Sequence, residues 1–374
     1  MLGAGWFPEP GSTGEFVLWS MVKVAMVVGI LLTMVAYVVL VERKVSAFIQ
    51  DRLGPNRVAL PLISSIPLIG PLLTRMGIWQ PLADGVKSFL KEDFTPGHVR
   101  KIYFWLAPAI TMIPAFLTVA VIPFGSNLGA QKMVIANLDV GILYTFGIVS
   151  LGVYGIVLAG YAANSKYPFL GGIRASAQMI SYEISMGLSV IPVFLLVGNL
   201  NLSAVIGYQT GFLFHNLPLL PNWLIFKQPI AFVVFLVAAF AETNRLPFDM
   251  PECETELVAG YNTEYSSMKF ALFFMGEYSN MIVSSAMMVT LFLGGWTLPW
   301  FGLDQSATTL LGGVLSIFIF LAKVSVLMVL FIWVRWMLPR FRYDQLMNLG
   351  WQRFIPLTLA NILVTALVLW LLAK

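Results

Sequence analysis

Cysteine and histidine are nearly missing from this chain. Its 374 residues include one cysteine, Cys253, and two histidines, His98 and His215. A lone cysteine closes no internal disulfide. Thiolate-held iron–sulfur clusters take about four cysteines, and haem needs axial ligands. No metal and no redox centre are therefore expected in this chain. Charge is scarce too, at 11% of residues, where soluble domains carry roughly 25%. No stretch between the apolar runs is long enough to fold by itself, so one membrane domain is expected over 1–374. The first fifteen residues hold no Lys or Arg. A signal-peptide n-region is thus lacking, and the first apolar run reads as a retained span. No nucleic-acid partner is expected.

What is present is apolar: 59% of residues are hydrophobic and the mean hydropathy is +0.84. Runs able to cross a core of ~30 Å recur throughout. An all-α polytopic protein is predicted, with eight spans at about 16–41, 102–124, 140–163, 178–197, 229–241, 270–293, 308–336 and 354–372. The loops 42–101, 164–177, 242–269 and 335–353 hold nine, two, two and four Lys/Arg, seventeen of the twenty-two. The excess of positive charge places them on the inner side and both termini outside. Two segments have an apolar stripe opposite a charged face, as helices lying in the headgroup layer do. The first carries Val41, Val45, Phe48, Ile49 and Leu53; the second carries Leu82, Val86, Phe89 and Leu90. Between them, 58–77 is apolar but broken by Pro61, Pro67 and Pro71, so it cannot be a straight span.

The chemistry gathers in 241–265. This stretch has six carboxylates, Glu242, Asp249, Glu252, Glu254, Glu256 and Glu264, and one base, Arg245. A solvated acidic loop is the bland interpretation. The acids alternate with Pro, Phe, Leu and Val, both flanks enter the membrane, and Pro247 and Pro251 pin turns. Closely spaced carboxylates titrate as a coupled set, which suits storing or passing protons. Within spans lie Glu183, Glu277 and Lys323. A charge at bilayer depth costs ~2.5–3.5 kcal/mol and normally faces protein or water. The two carboxylates therefore read either as a proton relay or as structural hydrogen bonds between helices. Lys323 reads equally as neutralising one of them. Arg43, Arg52, Arg57, Arg335, Arg340 and Arg342 are mostly explained as membrane anchors, although RLGPN (52–56) and RFRYDQLM (340–347) are less generic.

Four segments carry a resemblance: VERKVSAFIQDRLGPNRV (41–58), QPLADGVKSFLKED (80–93), ETNRLPFDMPECETELVAGYNTEYSSMKFALFFMGEY (242–278) and RFRYDQLMNLGW (340–351). They resemble the H, or ND1-type, membrane subunit of respiratory complex I, NADH-quinone oxidoreductase. The resemblance implies a proton-translocating enzyme complex in which this chain holds no cofactor. NADH, FMN and iron–sulfur clusters would belong to partner subunits, and quinone would be the substrate. The first span, the amphipathic helix after it and the sixth span would frame the quinone entrance, shared with peripheral-arm subunits. Arg43, Arg52, Phe248, Arg340 and Arg342 would line the chamber. The family's acidic path would run through Glu183, Glu242, Asp249, Glu252, Glu254, Glu256, Glu264 and Glu277 toward small membrane subunits and the antiporter-like subunits. The resemblance also implies a multi-pass protein, embedded in lipid, of the cell inner (plasma) membrane, or of an organellar inner or thylakoid membrane.

The chain departs from the family pattern at 58–77, an insertion beside the expected entrance. Cys253 stands where the family often has a smaller residue and reads as packing. Two other readings remain: the homologous membrane subunit of a membrane-bound hydrogenase or formate-hydrogenlyase complex, and a stand-alone proton-coupled transporter. The intact RLGPN and acidic blocks disfavour the first, and the lack of internal repeats disfavours the second.

Overall fold

A computed structural model describes residues 13–60, 69–128, 131–214, 217–250, 257–307 and 309–373. Glu252, Glu254, Glu256, Cys253 and His215 lie outside the described residues, as does 61–68 of the insertion.

The chain is helical almost throughout, as composition demands of a backbone that must satisfy its own hydrogen bonds in lipid. In order, the helices are α1 (Thr13–Ile49), α2 (Ile69–Met76), α3 (Gln80–Leu90), α4 (Lys101–Thr118), α5 (Gly141–Val149), α6 (Leu151–Ala162) and α7 (Lys166–Val197). They continue as α8 (Leu202–Tyr208), α9 (Leu224–Lys227), α10 (Pro229–Glu242), α11 (Ser267–Phe292), α12 (Leu310–Met337), α13 (Tyr343–Asn348) and α14 (Ile355–Leu372). Among the described residues there are also two short antiparallel strand pairs, Asn127–Leu128 with Gln131–Lys132 and Phe212–Phe214 with Leu217–Pro221.

Among the described residues, six helical segments are long and apolar enough to cross a membrane: 19–49, 101–121, 141–162, 166–197, 310–337 and 343–372. The other two expected spans are helices of a different character. α10 is apolar but only 14 residues long, and α11 runs 26 residues while carrying Lys269 and Glu277.

One sequence expectation needs correction. Residues 41–49 do not form a separate interfacial helix: α1 continues through them for 37 residues. Nothing in LVERKVSAFI breaks a helix. The turn comes where Asp51 adopts a left-handed conformation (φ 52°), one of the residue types that tolerate it, ahead of Gly54-Pro55. The helix that contains the expected fourth span, α7, begins at Lys166, well before residue 178. The expected amphipathic helix is present as α3. It buries none of its residues, and Leu82, Val86, Phe89 and Leu90 are all exposed.

The larger apolar core joins α1, α7, α10, α11 and α12 through side chains such as Tyr182, Phe235, Phe240, Phe292 and Phe331. Phe240 stacks on Phe331 with ring centres 4.0 Å apart. A second core holds Phe104 of α4, Ala159 of α6, Ala175 of α7, and Tyr261, Tyr265 and Phe273. Small residues permit the tightest approach, as is usual between membrane helices. A Cβ on Gly171 would sit 2.8 Å from Gly260 Cα and 2.9 Å from Tyr261 N. α7 therefore presses directly on the backbone inside the acidic stretch. The outer faces of α12 and α14, with Leu311, Phe318, Val326 and Leu363 exposed, supply apolar surface for lipid.

Candidate functional site

The inward-reading loops meet at one end of the bundle, and charged side chains converge there. α1 brings Glu42 and Arg43 on its last turns. α11 brings Glu277 and Tyr278. α12 brings Arg335, and the turn after α10 brings Arg245.

Glu42, only 8% exposed, is the hub. Tyr278 donates its hydroxyl to Glu42 Oε2 at 2.6 Å, and Arg335 Nη1 donates to Oε1. Arg245 Nη1 lies 3.9 Å from Glu42 Oε2, while its Nη2 lies 3.7 Å from Glu277 Oε2. The Arg245 guanidinium also sits 4.1 Å over the Tyr278 ring, a cation–π placement that helps hold it once desolvated. Tyr261 donates to Glu277 Oε1 at 2.7 Å. Two buried carboxylates thus flank one guanidinium at ion-pair distance. That is the condition under which buried charges are tolerable, since a single uncompensated one is strongly destabilising.

The turn 243–250 is anchored from α7. Gln178, fully buried, directs its amide nitrogen to Ala241 O at 2.7 Å and Phe248 O at 2.8 Å, and lies 3.1 Å from Asn244 Oδ1. Next to it, Arg340 Nη2 is 3.2 Å from Asp249 Oδ2. Burial pushes the Asp249 carboxyl up to about 6 from its ordinary 3.8. Arg340 and Arg245 pull the other way, and Glu277 adds to the rise. Asp249 therefore lies in the field of Glu277 although, among the described residues, no bond joins them. Glu183, on α7 and half-buried, likewise acts electrostatically on buried Glu242. Glu264 stands apart, with its carboxylate 3.8 Å from His98 Nε2.

Beside the hub lies a cavity of about 440 Å³, bounded by α1, α3, α11 and α12. Glu42, Arg43, Ser46, Phe270, Tyr278 and Arg335 are among its lining residues. Arg43 is held to Asp84 of α3 at 2.7 Å. The other residues expected in a chamber lie elsewhere. Phe248 is buried, stacked on Phe341 at 5.4 Å and tilted against Tyr182 at 6.0 Å. Arg52 is exposed and donates to Gln50. Arg340 is engaged with Asp249. Arg342 is exposed, and its backbone N–H is bound by Gln345 at 3.2 Å.

Lys323 neutralises neither Glu183 nor Glu277. Its ammonium donates to the carbonyls of Leu293 (2.7 Å), Gly295 (2.9 Å) and Thr297 (2.7 Å) and lies 4.4 Å over the Trp223 ring. It gathers the carbonyls where α11 ends, near Gly294 and Gly295, both at positive φ. A cation is well suited to the negative end of a helix.

Reading the sequence did not single out Glu42, Arg335, Tyr261, Tyr278 or Gln178 as site residues, and treated Arg245 only as the lone base among acids. Signals were present. Glu42 directly ends an apolar run, and Tyr278 follows a carboxylate inside a span. Among the described residues, no three of His, Cys, Asp and Glu come together as metal ligands.

The fold and site define a polytopic helical membrane protein with an arginine–carboxylate network at one end, opening on a side cavity. The family model described as NADH dehydrogenase matches residues 22–366. The first of the numbered H-type subunits of NADH-quinone oxidoreductase in Geobacter metallireducens is 48% identical over 93% of this chain and 96% of its own length. Its namesake from Cytophaga hutchinsonii is 46% identical over 94% and 96%. The second H-type subunit of NADH-quinone oxidoreductase in Koribacter versatilis is 46% identical over 96% and 98%. The chain belongs to the H-type family of NADH-quinone oxidoreductase membrane subunits, as its four sequence segments implied.

Proposed function

We propose that this chain is the membrane subunit through which quinone enters a proton-translocating NADH-quinone oxidoreductase of the bacterial plasma membrane. Eight spans of one membrane domain would place the basic loops and the acidic stretch inside. The supporting observation is the cavity between α1, α3, α11 and α12, with Glu42, Tyr278 and Arg335 on its wall. Its mixed lining suits a quinone: Phe270 and Phe274 meet an apolar tail, and hydrogen-bonding groups meet the polar ring. α3 buries none of its residues, so it can lie in the headgroup layer as a sill to the opening.

The electrons would arrive from NADH through flavin and iron–sulfur groups of partner subunits. This chain's residues would guide the quinone and respond to its charge. A change of charge near Glu42 reaches Arg245, which Glu42 shares with Glu277. From there Glu277 and Asp249 are electrostatically linked, and Glu242 and Glu183 continue into the bundle. Together with Glu252, Glu254, Glu256 and Glu264, these acids form the proposed path toward the small membrane subunits and the antiporter-like subunits. Arg43 takes part at the cavity, while Arg52, Phe248, Arg340 and Arg342 shape the loops around it.

Two measurements test the reading. A quinone with a photoreactive tail, added to the intact complex, is expected to label Ser46, Phe270 or Phe274. Labelling confined to other subunits would remove the entrance from this chain. Separately, Glu183→Gln and Glu242→Gln are expected to retain quinone reduction while lowering the protons moved per electron. Unchanged stoichiometry and rate would end the relay assignment.

A further inference from the structure

Away from the Glu42 network, three exposed cations sit at two neighbouring helix starts. Arg100 and Lys101 open α4, and Lys166 opens α7. The backbone holds the two openings side by side. Arg100 N donates to Ala162 O at 2.9 Å, and Asn164 Nδ2 donates to His98 O at 3.2 Å. All three side chains are exposed. Among the described residues none of them pairs with a carboxylate. Neither helix has an acid in its first turn. Of the acids on the neighbouring loops, Asp93 is engaged with Lys269 at 3.0 Å and Glu264 with His98, while exposed Glu92 pairs with none of the three cations among the described residues. Other basic residues of this end, such as Arg43, Arg245, Arg335 and Arg340, all have carboxylate partners.

Aromatic rings lie at the same level. The Arg100 guanidinium sits 4.1 Å over Tyr161, and Tyr103 meets Tyr161 edge-on at 6.2 Å. Tyrosines beside basic residues mark the headgroup level of a membrane protein. From these rings exposed apolar side chains run along both helices: Leu106 and Ile113 on α4, Tyr154 and Val157 on α6.

We propose that Arg100, Lys101 and Lys166 bind the phosphate headgroup of an acidic phospholipid, whose acyl chains follow the seam between α4 and α6. The cations supply what an anionic headgroup requires, and each basic residue at an anionic surface contributes appreciably to attraction. The exposed apolar track continuous with them selects a lipid over a free anion.

The intact complex is reconstituted in phosphatidylcholine bilayers doped with photoactivatable phosphatidylglycerol, and labelled peptides of this chain are quantified. Labelling is expected in 100–113 and 154–166 and to fall with added salt. The triple substitution Arg100→Gln, Lys101→Gln and Lys166→Gln is expected to weaken apparent affinity by about a hundredfold, roughly fivefold per cation. The charge-keeping pair Lys101→Arg and Lys166→Arg is expected to label like wild type. Should the triple variant fail to assemble, Lys166→Gln alone is read for its roughly fivefold loss. The proposal is overturned by labelling unchanged in these neutral variants, or by equal labelling from photoactivatable phosphatidylcholine. Displacement by inorganic phosphate beyond that of a salt of equal ionic strength would make this a free-anion site instead. Crosslinks from Lys101 or Lys166 to another subunit, with no lipid labelling, would make it a protein interface.

Discussion

Tyr278 donates its hydroxyl to Glu42 across 2.6 Å, joining residues 236 positions apart. Because Arg335 takes the other oxygen of Glu42, one carboxylate ties α1, α11 and α12 together at the cavity wall.

Removing the parts of this joint should cost unequal amounts. Tyr278→Phe deletes one hydrogen bond to a charged group, worth about 1.5–3 kcal/mol, and leaves the ring under Arg245. Glu42→Gln leaves Arg245 and Arg335 short of a counter-charge, and breaking a buried pair costs about 3–5 kcal/mol. Melting of the purified complex should rank wild type above Tyr278→Phe and Tyr278→Phe above Glu42→Gln. Coincident midpoints would show that the bond contributes nothing.

Asp249 should be a protonation switch in the mildly acidic range. Its carboxyl, raised to about 6 from an ordinary 3.8, stays protonated in the folded chain over a window where the unfolded chain has lost that proton. The folded state then binds more protons, so this group's contribution to stability falls as pH rises from about 4 to about 6. A carboxylic C=O infrared band absent from Asp249→Asn should titrate with a midpoint near 6. Replacing Arg340 by Gln removes a cation that holds the value down and should move the midpoint higher. A midpoint near 4 in the wild type would refute the assignment.

Lys323 is expected to matter for folding rather than for proton movement. Lys323→Gln strips charge-assisted bonds from three carbonyls at the end of α11 and should destabilise the chain by about 3 kcal/mol or more. Molecules that do assemble should reduce quinone and pump at wild-type ratios. A variant melting normally but failing to pump would instead place Lys323 on the proton path.

Gly171 should be sensitive to a single methyl group. Its Cβ would collide with the backbone of Gly260 and Tyr261, and overpacking typically costs about 1–3 kcal/mol. Gly171→Ala should push Tyr261 away from Glu277, increase proteolysis within 257–266 and lower quinone-reductase turnover. Gly187→Ala on the same helix, with nothing within 4 Å, is the matched control and should behave as wild type.

Much of the architecture was legible in the amino-acid order. Long apolar runs marked the helices because unpaired backbone groups cannot remain in lipid. α3 was legible because its apolar residues recur on one face. The end of α1 was misjudged: a stripe with charged neighbours fits an interfacial helix and the projecting end of a span equally well. Only the absence of a breaker before Asp51 separates them. The short helix α10 and the acid-bearing α11 were recognisable as elements, although α10 is short for a span and α11 carries charge.

The candidate site divides in the same manner. Glu277 and Asp249 were conspicuous because a carboxylate inside or beside a span is costly. Glu42 and Arg335 looked like routine flanking charges, since a charge at a span's end needs no special explanation. Lys323 looked like a partner for a carboxylate, and sequence does not reveal that three carbonyls turn toward it.

By itself the sequence determined that this is a helical membrane protein, which family it belongs to, and that its acids crowd into 241–265. Local composition and order carry that information, because partition into lipid depends on runs of neighbouring residues. Only the tertiary structure decided that Glu42 and Arg335, from opposite ends of the chain, share one bond, and that Arg245 stands between Glu42 and Glu277. Those pairings depend on which helix ends meet, and that is set by packing among side chains far apart in sequence.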